Sequence, residues 1–97
     1  PEPYPEGLRY HESCERVSPT EVAGYVTNLS GQDYIVDGAV RFRFETDRFV
    51  TLPEYAIFAS ARVPAGQRSL VARLSLPFTL HPTDRCMFDA RGAVNRR

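Results

Sequence analysis

The sequence predicts an all-β fold, a small antiparallel β-sandwich with an extended N-terminal arm. Three features carry that expectation. Apolar and polar residues alternate with a period of two in several short stretches. The stretches recur about every ten residues and are divided by proline and glycine turns, as in sandwiches. No stretch of about ten residues or more carries an apolar stripe of helical period. A chain of 97 residues supports one hydrophobic core and leaves no room for a second domain.

Residues 1–20, PEPYPEGLRYHESCERVSPT, hold four prolines and scattered charges without a period. They are expected to form the arm, with a short turn near Glu12 to Arg16. From Glu21 the character changes. Val22, Gly24 and Val26 alternate with Ala23, Tyr25 and Thr27, the pattern of a half-buried strand. Asn28-Leu29-Ser30-Gly31 supplies turn residues.

A long strand is expected from Tyr34 to Glu45, its clearest section Val40-Arg41-Phe42-Arg43-Phe44. Valine and both phenylalanines share one face and the two arginines the other, so the sheet is antiparallel with one wet side. Thr46-Asp47-Arg48 reads as a turn and Phe49 to Leu52 as a short strand closed by Pro53. Tyr55, Ile57, Ala59, Ala61 and Val63 are in phase on a third main strand, and Pro64-Ala65-Gly66-Gln67 turns the chain. On Arg68 to Leu76 the expected inward set is Leu70, Ala72, Leu74 and Leu76, with Ser69, Val71, Arg73 and Ser75 outward. Pro77 and Pro82 bracket a loop containing His81, and Arg85 to Ala90 makes the last strand. The organisation is thus an arm over 1–20, a sandwich over 21–90 and a tail over 91–97 without apolar period.

The apolar fraction of 42% and charged fraction of 25% are ordinary globular values. No apolar run approaches the ~20 residues of a membrane-spanning helix. Twelve acidic and twelve basic residues cancel, which argues against a nucleic-acid binder or a polybasic membrane module. Every basic residue is arginine and lysine is absent. A bias over the whole chain is read as codon usage before it is read as ligand recognition. The one methionine is Met87, so Pro1 is expected to follow processing or trimming, and a signal peptide could have been removed.

Val22-Ala23-Gly24-Tyr25-Val26-Thr27-Asn28-Leu29-Ser30 resembles the opening strand of FxLYD-type domains, with its apolar–x–Gly–x–Val–x–Asn–x–Ser pattern. Val40, Phe42 and Phe44 match the alternation of that family's next strand, and Val63-Pro64-Ala65-Gly66-Gln67 its Pro-Gly turn. The likeness spans about residues 21 to 90. It departs where Phe42-Arg43-Phe44-Glu45 stands in place of a Phe-x-Leu-Tyr-Asp string. The resemblance implies an immunoglobulin-like, extracytoplasmic bacterial β-sandwich and carries over no catalytic residue.

Cys14 and Cys86 form an even pair, one in the arm and one in the last strand. A disulfide between them pins the arm to the sandwich and stabilises the fold by about 4 kcal/mol through loop-closure entropy. A competing arrangement uses His11-x2-Cys14 and His81-x4-Cys86 as the two halves of a zinc site. Catalysis has little to stand on. His11 and His81 are the only bases near neutral pKa, no nucleophile elbow or phosphate loop is present, and Asp84 and Asp89 read as solvated charges. No nucleophile, base and orienting group can be named together.

Arg41, Arg43 and Arg73 are candidate binding arginines on wet strand faces, where cross-strand ion pairs are the plainer role. Asn28-Leu29-Ser30 fits a glycosylation acceptor as well as a turn. Tyr4 and Tyr10 either pack the arm down or dress an interaction surface. The expectation is a non-catalytic exported module without cofactor. It would bind a protein partner of the cell envelope through a sheet face or edge, first Arg68 to Leu76 and otherwise Glu21 to Asn28 or Tyr55 to Val63. A small zinc module is the alternative.

Overall fold

A computed structural model describes residues 7–97. Tyr4 and the first part of the expected arm lie outside the described residues. The chain is all-β: β1 (Tyr10–Ser18), β2 (Glu21–Asn28), β3 (Tyr34–Glu45), β4 (Tyr55–Val63), β5 (Arg68–Ser75), β6 (Arg85–Asp89) and β7 (Val94–Arg96). One antiparallel sheet has the order β1-β2-β5. The other has the order β4-β3-β6, with β7 beside β3 as well. β6 pairs Arg41–Glu45 of β3 and β7 pairs Tyr34–Val36, so the two follow one another along the same side of β3.

The alternation on β3 sets the core. Val40 and Phe42 are fully buried, Phe44 packs against them, and Arg41 and Arg43 are exposed. Phe44 meets Tyr55 and Phe78 edge-on, with ring centroids 6.4 and 5.7 Å away. Tyr10, Val22 and Val26 cover this surface from the first sheet. Gly24 has a packing reason. A Cβ there would stand 2.4 Å from the Phe88 ring, and Phe88 in turn packs on Phe42 with centroids 5.0 Å apart. Gly66 takes φ +72° in the β4–β5 turn, a conformation that glycine bears without strain.

Four expectations need correction. Residues 10–18 belong to the sandwich: β1 pairs with β2 from Tyr10↔Asn28 to Ser18↔Glu21. Its composition hid it, because Tyr10 is its one fully buried side chain and the outward positions carry charge. The tail contains β7, whose short length left no period to read. Phe49 to Leu52 is an irregular loop, with Phe49 fully exposed. On β5 the register shifts between Gly24↔Ala72 and Tyr25↔Leu70. Val71 is the extra residue of a bulge, and it packs toward the core while Leu70 is left 45% exposed. The expected phase therefore holds from Ala72 onward and inverts before it.

Candidate functional site

The strand order gives the sandwich two unlike sides. β1 and β6 face one another on one side, β4 and β5 on the other. The β1–β6 side is closed by side chains. Cys14 and Cys86 form a disulfide with their Cα atoms 5.7 Å apart. The Glu12 carboxylate accepts the Ala90 N–H. Burial pushes the Glu12 carboxyl above its ordinary value, and the Asp89 carboxylate adds to the shift. Asp89 accepts the Arg91 N–H at 2.8 Å.

Beyond the disulfide the Arg16 guanidinium donates to the carbonyls of His81 and Asp84, at 2.7 and 2.8 Å. The Asp84 carboxylate takes Arg48 at 2.6 Å and the His81 N–H at 2.9 Å. The Thr46 hydroxyl, then the His81 N–H and Arg48, hold the Asp84 carboxyl down to about 2. Asp84 was expected to be a solvated charge. It is buried, and it ties the loop before β6 to the β3–β4 loop. The Arg48 and His81 N–H bonds both go to Asp84 Oδ2, and among the described residues Oδ1 is buried without a hydrogen-bond partner.

The four residues of the zinc alternative are not brought together as ligands. Both sulfurs are consumed by the disulfide, leaving no thiolate. His11 is exposed on β1, an odd number of residues from Cys14 and so on the other face of the strand. His81 is exposed in the loop before β6. Among the described residues no three His, Cys, Asp or Glu side chains are grouped to hold a metal ion.

The candidate arginines also separate. Arg41 and Arg43 lie on the outer face of β3, Arg41 paired with Glu54 at 3.2 Å. Arg73 lies on the other sheet, paired with Glu21 at 2.9 Å. The three do not form one site. Asn28 is 1% exposed, and its amide donates to the carbonyls of Gln32 and Val63 while Ser30 bonds back to it. The turn role holds, and a side chain enclosed in this way offers no glycosylation acceptor.

The β4–β5 side presents two strand edges and an exposed aromatic ring. β5 is an edge, as the sequence suggested, but it is irregular: a bulge interrupts its ladder with β2. β4 is the other edge. Its ladder with β3 runs from Tyr34↔Val63 to Phe42↔Tyr55 without a shift. It contains no proline, and Arg62 is its one charged residue. Tyr55, Ile57, Ala59, Ala61 and Val63 point inward as expected, whereas Phe58 is 74% exposed on the outer face. Phe58 is opposite Ala39 on β3, which is too small to cover it. The signal was present in the sequence as a phenylalanine out of phase with the inward set.

An open groove of about 530 Å³ is lined by Phe44, Val50 and Leu52 together with Asp47, Thr83 and Arg85. No described helix is long and apolar enough to cross a membrane. No known protein family, characterised protein or solved structure matched the chain.

Proposed function

We propose that the chain is a non-catalytic, exported interaction module of immunoglobulin-like type, acting among the proteins of the cell envelope. It joins a partner by strand addition at the β4 edge. The observation that carries this reading is β4 itself: a nine-residue edge strand with a regular ladder, no proline, a single charge and an exposed phenylalanine near its middle. Such an edge presents a row of backbone donors and acceptors with an apolar anchor beside them. The disulfide suits an oxidising compartment, and the FxLYD resemblance points the same way. The candidate edge thus moves from Arg68–Leu76 to Tyr55–Val63, because the first is bulged.

The test is a pair of charged substitutions read by binding and by circular dichroism. Phe58→Asp puts a charge on the β4 edge, and Arg43→Asp alters the wet face of the same sheet. The expected result is that both variants stay folded and only Phe58→Asp loses association with its partner. Loss with Arg43→Asp alone would move the function to the sheet face.

A further inference from the structure

We infer that the strand received by the β4 edge is β4 of a second copy of this chain. The inference rests on the edge-binding reading above and names its partner. In an antiparallel pair, directly opposite residues lie on the same face of the sheet. Two β4 strands related by a two-fold axis must therefore centre on a residue, and each choice of centre fixes every cross-strand pair.

Centring on Phe58 gives a self-consistent set. Phe58 stands opposite Phe58 at the axis. On the outer face Ala56 stands opposite Ser60, and Glu54, the residue just before β4 and paired with outer-face Arg41, stands opposite Arg62 at both ends. On the inner face Tyr55 meets Ala61 and Ile57 meets Ala59. The pairing places the two large exposed rings together and matches each strand's charge with the opposite charge of its neighbour, the combination that stabilises cross-strand pairs. Centring on Ala59 instead sets Arg62 against Ala56 and Phe58 against Ser60. Centring on Ile57 sets Glu54 against Ser60 and Phe58 against Ala56. Only the Phe58 register of the three uses both the aromatic and the charges.

The residues needed are free to do this. Phe58 is 74% exposed. The Glu54 side chain is 47% exposed in its pair with Arg41, and that of Arg62 58% exposed in its 3.4 Å pair with Asp33. Exposed pairs of this kind are weak and exchange partners at little cost. The other strand edges are less suited to the role. β1 has a register shift at Arg16/Ser18, β5 is bulged opposite Gly24/Tyr25, and β6 and β7 are short.

Sedimentation equilibrium over a wide range of protein concentration, with the disulfide intact, tests the inference. The wild-type chain should shift from its monomer mass of 11.0 kDa to twice that mass as concentration rises. Phe58→Asp, which sets two carboxylates against each other at the axis, should remain monomeric while keeping its circular dichroism spectrum and melting transition. Glu54→Arg or Arg62→Glu alone opposes like charges and should weaken the dimer severalfold. The double swap Glu54→Arg/Arg62→Glu should recover it, which a purely local effect of either residue would not do. A wild-type chain that stays monomeric at every concentration overturns the second-copy partner, while the edge reading is judged separately by loss of partner binding in Phe58→Asp. A dimer indifferent to all four variants overturns the β4 register.

Discussion

Breaking the Cys14–Cys86 bond is the perturbation whose size the structure specifies most directly. The bond joins an outer strand of one sheet to an outer strand of the other, and β1 and β6 share no backbone ladder. Across that side also lie the Glu12–Ala90 hydrogen bond, the hold of Arg16 on two loop carbonyls and the Leu80 N–H donating to the Pro19 carbonyl. The bond closes a loop spanning a sequence separation of 72, for which chain entropy gives about 4 kcal/mol at room temperature. Against a stability of about 5–15 kcal/mol for a domain of this kind, that is a large share. At roughly 4–8 °C per kcal/mol for a chain this small, the melting temperature should fall by about 15–30 °C. Urea unfolding followed by circular dichroism, with and without reductant, measures it, and Cys14→Ala/Cys86→Ala supplies a chemical control. If the bond acts through the unfolded state, the reduced chain also exposes more surface on unfolding and its urea slope steepens. A midpoint shift worth under about 1 kcal/mol with an unchanged slope would refute the reasoning, because the side would then be held by its hydrogen bonds.

Two further outcomes follow from burial and charge. Phe42→Ala should destabilise the fold by about 3–5 kcal/mol, as for a buried aromatic ring, while Arg43→Ala on the wet face should cost under about 0.5 kcal/mol; the reverse order in chemical denaturation would invert the assigned faces of β3. Glu12 has a folded-state pKa raised above 4.5, chiefly by burial. As pH rises past that value the unfolded chain releases its proton first, so stability falls until the folded carboxyl ionises too. Denaturation midpoints across the weakly acidic range should show that fall, and Glu12→Gln should flatten it. The Asp84 carboxyl, lowered to about 2, works the other way: its stabilisation is present above 3.8 and lost as pH drops toward 2.

The main strands were legible because their local pattern coincides with their tertiary role. On β3 and β4 one face is buried and one is wet along the whole length, so a period of two in the sequence is a period of two in burial. β1 failed that test. Tyr10 is its only fully buried side chain and Glu12 is half-buried, so its sequence reads as a charged arm although it carries a full ladder to β2. β5 failed for another reason. A bulge changes which face a residue occupies without changing the residues, and nothing in Leu70-Val71-Ala72 marks the site of the shift. Asp84 was misjudged because its partners Arg48, Thr46 and the His81 N–H come from two loops that meet only in the folded chain.

Which strand forms an exposed edge depends on strand order, and strand order is a property of the whole assembly. The three candidate edges, Glu21–Asn28, Tyr55–Val63 and Arg68–Leu76, differ by no more than a residue in length, so length does not rank them. The residue that separates β4 is Phe58, an aromatic at an outward position of a strand whose inward set is otherwise consistent. Placed on a central strand, such a residue would pack against cross-strand neighbours on both sides and lose most of its exposure. On β4 it has one neighbouring strand, and that strand offers Ala39. Its exposure therefore reports two facts at once, the missing neighbour and the missing cover. An incoming strand supplies both, backbone groups for the free side of the ladder and a side chain for the open ring. On the proposed edge-binding reading the ring and the free backbone belong to one site, and a change at Phe58 is expected to alter association while leaving the fold of the monomer intact.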